Sequence, residues 1–584
     1  MTMISETRAA ALSSAPDQGD GLHRAIDWKG AFWIASGVPA LVMISIGGMG
    51  AAAGKLAFVV WTISVLMGFL QAYSYAEIAG LFANKSGGAA VYGAAAWLRY
   101  SKLIAPLSVW CNWYAWTPVL SLGCTIAAGY ILNAIAPIPT FTASSPEVVA
   151  WLHAAANAAA IDGKSVEEAA KIAIAAVTQV HTPALRSLTL LNFSFFGVVN
   201  VEIGSTFFIG AALMLLAFAI QHRGILGTAR VQMWIGLLVV VPMLIVGLVP
   251  FFNGSVHSDN YFPLVPPVGD WSNGGWTQFL GALFIAGWST YAFETAVCYT
   301  REFKNPAVDT KKSIVRAGLL CVVLYSLVAA TFQGYLGLEG MTAPGIVDGT
   351  GVAAAMGQMV GTGSTFVTHL LEMMMVLALI LAIMMAMAGS SRTLYQGGVD
   401  GWLPKYLSHV NEHGAPTKAM WTDLVFNLGL LSFASSDTNA YYFILAISNV
   451  GYMLFIFLNL QSVWIHRIDS PNIPRPYRTP NWLVAVNVAL GFFNLLLMGA
   501  GAKVWGNPNS LWYGIGFALL ILPVFFYRHY VQDKGRFPDH MLQDLDLKSQ
   551  DLGERRAGML PYLTLALGAA VILFGHYYFQ LPPA

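Results

Sequence analysis

Apolar runs of about twenty residues recur along the chain, each closed by a short polar or charged break. A hydrocarbon core about 30 Å thick takes about 20 helical residues to cross. On that measure spans are predicted at 29–53, 56–82, 104–133, 202–220, 227–251, 275–299, 313–338, 364–390, 418–435, 438–465, 482–502 and 509–530. A thirteenth apolar run, MLPYLTLALGAAVILFGHYYF at 559–579, either crosses as well or lies along the membrane surface.

Between the third and fourth spans the segment 138–187 is long and more polar. Ser145 and Pro146 are a start signal and Gly163 a stop, while Ser165 and Glu168 have capping-box spacing. Two surface helices are predicted here, a family-specific decoration or a cap on an entrance. Residues 531–558 are charged and read as a linker.

Composition agrees: of 584 residues 57% are hydrophobic and only 10% charged, whereas soluble domains carry about 25% charged residues. This is the profile of an integral membrane protein whose partner is the lipid bilayer. A net charge of +1 leaves no basic face for nucleic acid. Cys111, Cys124, Cys298 and Cys321 all fall in apolar runs and show neither a disulfide framework nor metal-ligand spacing. Residues 1–28 are polar, lack the apolar core of a cleavable signal peptide, and read as a cytoplasmic tail.

Lysine and arginine set the expected orientation. With the N-terminus in the cytoplasm, only Lys55, Lys164, Lys171, Arg186 and Lys503 of the 30 Lys and Arg residues lie outside, as the positive-inside rule asks. The linker 531–558 is then cytoplasmic, and the expected location is the cell membrane.

Two spans break the apolar rule. In the sixth, AGWSTYAFETAV places Glu294 at mid-membrane behind Ala286, Gly287, Ser289 and Thr290. A buried ionisable group costs about 2.5–3.5 kcal/mol on insertion scales and normally faces a bundle interior. Carbonyls of Ala286, Gly287 and Trp288 are expected to be exposed there as acceptors for an ammonium group, with Trp288 and Tyr291 as walls or lid. A continuous helix with Glu294 bonded to a neighbouring span is the alternative. In the first span, ASGVPAL puts Gly37 and Pro39 at mid-membrane, where proline removes a donor and clashes one turn back. A simple kink is one reading. The other is a fresh helix start near Ala40, offering N–H groups to a carboxylate. The first and sixth spans hold matching positions in successive five-helix units, the sequence pointer to a transporter of inverted repeats. Donors on one and acceptors on the other suit a zwitterionic amino acid.

Further motifs carry a resemblance. YAEIAGLFANKSGGAAVYGAAAW, FAIQHRGILGTARVQ, FETAVCYTREFKNPAVDTKKSI with Glu302, Lys304, Asn305 and Pro306, SSRTLYQGGVDGWLPKYLSHVNEHGAPTKA, and RPYRTP follow one another between about residues 30 and 530. In that order they resemble the amino acid–polyamine–organocation (APC) permease superfamily. The resemblance implies an all-α polytopic membrane protein with a LeuT-type 5+5 inverted-repeat core of ten helices, plus two or three additional C-terminal transmembrane helices. The first repeat would be 29–251 and the second 275–465, followed by 482–530 and 559–579.

Two departures from the family pattern matter. Ser36-Gly37-Val38-Pro39 replaces the usual G-x-G of the first break, so the amides favoured for the carboxylate are those of Gly37, Val38 and Ala40. In the sixth span Ala292 stands where the family often has glycine, and, apart from these departures, Val239 stands where some proton-coupled members carry a lysine in the fifth span. Trp288 is similar in placement to the gating tryptophan of arginine–agmatine exchangers.

The expected substrate contacts are Ser36, Gly37, Val38, Ala40, Asn112, Ala286, Gly287, Trp288 and Tyr291. Gating or proton-coupling candidates are Trp288, Glu294, Glu372 and Glu77, the last in an inner-gate network. Ser390 and Ser391 are weak sodium candidates. Glu294 and Glu372 are the two carboxylates expected deep in spans. The predicted activity is secondary transport of an amino acid or related small amine by alternating access, with H+ or Na+ as the possible coupling ion. The alternatives are a polyamine or cationic amine exchanger, or a non-transporting nutrient sensor of the same fold. No nucleophile–base constellation, phosphate loop or metal cluster points to an enzyme, and no cofactor is expected.

Overall fold

The computed structural model describes residues 22–581 except 140, 155–164, 196–198, 348, 350, 362–363, 436–437, 545–546 and 548–551. Among the described residues nine helices are long and apolar enough to cross a membrane. They include Ile104–Ile135, Ile225–Phe252, Pro306–Met341, Thr365–Val399, Asn481–Val504 and Leu560–Tyr578. The other expected spans are also helical but shorter, more polar or broken: Ser205–Gln221, Asn273–Thr290, Thr417–Ala434, and the first span. The chain is thus a helical, polytopic membrane protein, and the predicted spans and observed helices coincide along its length.

The first span is divided. Asp27 caps Trp28–Ala35 by accepting from the amides of Lys29 and Gly30. After a turn at Ser36–Gly37 the chain tightens into the 3-10 turn Val38–Ala40, then resumes as Leu41–Ala53. Pro39 supplies the physical cause, since it lacks an N–H and crowds the carbonyl four residues back.

The sixth span is divided too, but later than expected. Ala286, Gly287 and Trp288 all lie inside the helix Asn273–Thr290, and the carbonyl of Gly287 accepts from the amide of Tyr291. Only after Tyr291 does the backbone narrow into the 3-10 segments Ala292–Val297 and Thr300–Glu302. Contacts with the second span, Ala57–Leu81, fix the place. Ser64 and Thr290 share a hydroxyl hydrogen bond at 2.7 Å. A Cβ on Gly68 would stand 2.5 Å from the Tyr291 ring, so that glycine is what lets the ring lie against the second span.

Between the third and fourth spans the expected surface helices are Pro146–Ala154 and Val166–His181. The Ser165–Glu168 capping box is present in both directions, while the expected stop at Gly163 lies outside the described residues. No element was predicted between 188 and 201. The chain there forms an antiparallel hairpin, Thr189–Phe195 with Val199–Gly204, pairing Leu191 with Ile203 and Phe193 with Val201. The fourth span accordingly starts at Ser205, not 202.

The run at 559–579 does not lie apart from the bundle. Its helix Leu560–Tyr578 packs along the eleventh span, Asn481–Gly501, with Gly499 against the backbone of Ile572 and His576 and Gly575 against Leu496 and Ala500. Small residues at such a seam let two helix backbones approach.

Candidate functional site

The two interruptions meet in the interior. Tyr325, on the seventh span, donates its hydroxyl to the carbonyl of Val38 at 2.9 Å, and Ser289 of the sixth span neighbours the same ring. Gly37 seats the first break against the backbone of the eighth span, where an added Cβ would lie 2.9 Å from the Leu381 carbonyl. Ser36 turns its hydroxyl back to Trp33 O at 2.6 Å and faces Gly236 of the fifth span. Ala40 closes the 3-10 turn.

Glu294 sits just beyond the sixth-span break and is completely buried. Its Oε1 accepts from Trp116 Nε1 at 3.0 Å, while Oε2 has no hydrogen-bond partner among the described residues. Asn112 lies beside it with its Oδ1 accepting from Thr393 at 2.8 Å, and its Nδ2 is also unpartnered among the described residues. Tyr75 and Tyr452 lie near the carboxyl with Tyr291 near both, and the Trp116 and Tyr452 rings meet edge to face at 5.3 Å. The result is an aromatic cluster around one carboxyl group, with a few unspent hydrogen-bonding atoms.

Other predicted residues fall in different places. Trp288 is buried and donates Nε1 to the carbonyl of Ala115 at 3.2 Å, and Tyr291 donates to Asn494 at 3.3 Å. The carbonyls of Ala286 and Gly287 are engaged within the helix and its cap, so they are not the free acceptors expected; Ala286 O also accepts from Ser289. Glu372 is only half-buried, and its position 17 residues before Gly389, the eighth-span residue facing Thr295, sets it about 25 Å from Glu294's level. It does not join the site. Ser390 donates to Asp423 at 2.5 Å, and Ser391 bonds back to Met387 O at 2.6 Å. The expectation of Glu294 and Glu372 as the two deep carboxylates is corrected in the same way, because Asp423 is fully buried.

Glu77 belongs to a layer of ion pairs at one end of the bundle. It takes Arg467 at 2.6 Å and Arg475 at 3.4 Å. Arg392 grips Glu302 through two bonds at 2.5 and 2.8 Å, and Lys85 bridges Asp400 at 2.7 Å and Asp544 at 2.9 Å. Burial alone would raise the Asp400 carboxyl, yet Lys85 holds it below the usual carboxylate range. The Glu302–Pro306 stretch explains itself here. Glu302 O accepts from the amides of Ala25 and Ile26, Lys304 N returns to Ile26 O, and Pro306 opens the seventh span.

A family model described as amino acid permease matches residues 26–521. The chain belongs to the amino acid permease family. Over 321 residues it is 24% identical to the branched-chain amino acid permease BcaP of Lactococcus lactis, covering 53% of this chain and 64% of that protein. BcaP of Bacillus subtilis is 23% identical, over 42% of this chain and 49% of its own length. The lysine-specific permease LysP of Lactococcus lactis is 24% identical with the same coverage of 42% and 49%. The matched regions therefore span less than two thirds of these relatives. This family membership makes the meeting of the two interruptions, rather than the ion-pair layer, the candidate binding site.

Sequence reasoning missed Trp116, Tyr325 and Tyr452 because an aromatic residue in an apolar helix carries no mark of where it points. It missed Asp423 because a carboxylate six residues from the start of Thr417–Ala434 reads as a helix end.

Proposed function

We propose that this chain is a secondary active transporter of an amino acid, working by alternating access across the cell membrane with its N-terminus in the cytoplasm. The observation that carries the reading is the meeting of the broken first and sixth spans across Tyr325, beside a buried Glu294. Five-helix repeats of inverted topology, 29–251 and 275–465, are the architecture in which such pairs occur. The substrate carboxylate rests on the first-span turn around Gly37, Val38 and Ala40. The amine lies toward the sixth-span break near Tyr291, and Trp116, Tyr75 and Tyr452 enclose the side chain. The ion pairs of Glu77, Glu302 and Lys85 close the cytoplasmic end, and Trp288 helps occlude the chamber. The surrounding aromatic wall favours an apolar side chain, in line with the substrate class named for BcaP.

A second reading has one specific observation behind it. The Oε2 of Glu294 has no partner among the described residues and suits the distal ammonium of a cationic amino acid or diamine; lysine, named for LysP, is one such amino acid. Purified protein is screened against amino acids and amines by thermal shift, since a ligand of the folded site raises apparent stability. Hits are then tested for exchange in proteoliposomes. Stabilisation and exchange by apolar amino acids support the first reading. Cationic ligands that lose both effects in Glu294→Gln support the second, and no exchange of any amino acid or amine overturns both.

A further inference from the structure

We infer that Asp423 is a proton-binding site, separate from the substrate chamber and lodged between the third, eighth and ninth spans. The inference rests on the transport reading for its role, but its chemistry stands on local geometry. The Asp423 side chain is fully buried. Its Oδ1 accepts from Trp113 Nε1 at 2.9 Å and Thr117 Oγ1 at 2.5 Å, and its Oδ2 accepts from Ser390 Oγ at 2.5 Å. Asn427, one turn further on, donates Nδ2 to Thr117 Oγ1 at 2.6 Å and to Asp423 O at 2.9 Å, and its buried Oδ1 has no partner among the described residues.

No lysine, arginine or histidine pairs with Asp423 among the described residues. Titratable groups on the packed elements are engaged or turned elsewhere. Arg392, two residues after Ser390, is held by Glu302, and His222 receives Asn411. Cys124 packs against Gly210, Lys405 pairs with Asp533, Lys418 is exposed, and Glu202 bonds Thr189 in the hairpin. A carboxylate with neutral neighbours at this depth is costly as an anion and is relieved by taking a proton.

The site has an acceptor ready for that proton. Ser390 Oγ also lies 3.4 Å from Met387 O, the carbonyl one turn back. When Oδ2 takes a proton, its new O–H donates to Ser390 Oγ, and the serine hydrogen turns from Oδ2 to Met387 O. Oδ1 keeps both donors, so one proton is gained and no other group changes its charge. A metal cation fits less well, because the indole N–H and the threonine hydroxyl point their hydrogens at Oδ1.

The same helices serve both carboxyl groups. On the third span Trp116 reaches Glu294 and Asn112 lies beside it, while Trp113 and Thr117 reach Asp423. On the eighth, Thr393 bonds Asn112 and Ser390 bonds Asp423. A movement of these helices during transport therefore alters both environments together.

Two measurements test this. In proteoliposomes, wild type and Asp423→Asn are compared for exchange without a gradient and for accumulation driven by an inward proton gradient. The expected result is that Asp423→Asn still exchanges substrate but loses gradient-driven accumulation. Undiminished accumulation in the variant, or a wild type indifferent to the proton gradient, overturns the proposal. In parallel, pH-titrated infrared difference spectra of purified protein read carboxyl protonation directly. A protonated-carboxyl band present in wild type, absent in Asp423→Asn and shifted in frequency by Ser390→Ala supports the site; a band unmoved by both variants overturns it. Should Asp423→Asn not fold, Ser390→Ala alone decides by the same band. Absence of exchange in the wild type sinks the transport reading, and the infrared result then still decides whether Asp423 takes a proton.

Discussion

Trp116 donates its indole N–H to one oxygen of Glu294 at 3.0 Å and leaves the other without a partner among the described residues. One carboxyl group thus has a bonded half and an unbonded half. Trp116→Phe removes the fixed donor and strands a second buried acceptor, a change worth about 1–3 kcal/mol. Thermal denaturation is expected to show lower stability and transport assays reduced uptake. Glu294→Gln, whose amide oxygen still accepts from the indole, is expected to retain more stability than Trp116→Phe.

Gly37 is where the first-span turn touches the eighth-span backbone. A methyl there would meet the Leu381 carbonyl carbon and oxygen at 2.9 Å, and backbone cannot step aside as a side chain can. Gly37→Ala is expected to cost about 1–3 kcal/mol and to abolish substrate-induced stabilisation. Gly429→Ala, in a helix with open space around the new methyl, is the control. It is expected to leave uptake unchanged and add up to about 1 kcal/mol. Equal damage from both variants rules out the close approach as the cause.

The Arg392–Glu302 pair is buried on both sides, with side-chain exposures of 4% and 0%. Removing one partner strands a charge, at a cost of about 3–5 kcal/mol. Arg392→Met is therefore expected to be severely destabilised, and Arg392→Met combined with Glu302→Gln to recover much of the loss. A double mutant as unstable as the sum of the singles would mean that the two groups do not act as a pair.

Lys85 and Asp400 lie outside the spans and give a pH test. Asp400 is held below its ordinary value despite its burial, by Lys85 above all. Its contribution to stability is therefore present above the unfolded carboxylate value and is lost as pH falls through the depressed folded value. Thermal stability is expected to decline with acid below about pH 4. In Lys85→Met the neutral-pH protein is less stable and the acid decline is shallower, as measured by melting temperature against pH.

Substituting leucine for Gly575 probes the helix 560–578. That glycine faces Leu496 and Ala500 backbone at 3.0–3.1 Å from an added Cβ, so Gly575→Leu forces the two helices apart. Cysteine crosslinking between 495 and 568, which face each other across the same seam, is expected to succeed with Gly575 in place and to fail in Gly575→Leu.

The chain's own order of residues determined the helices, because length and hydropathy are local properties and a bilayer filters them in the same way at every span. It pointed to Pro39 as a break or a kink in the first span, since proline cannot donate, and it determined that Ser165 and Glu168 cap a helix, since both partners lie within one turn. Tertiary structure alone decided where the sixth span breaks. Ala286–Thr290 accept helix as readily as loop, and the contacts of Thr290 with Ser64 and of Tyr291 with Gly68 move the interruption past them. It alone separated Glu372 from Glu294 and brought Trp113, Thr117 and Ser390 around Asp423. Which side chains converge depends on the rotation and crossing of whole helices, and no window along one helix contains that information.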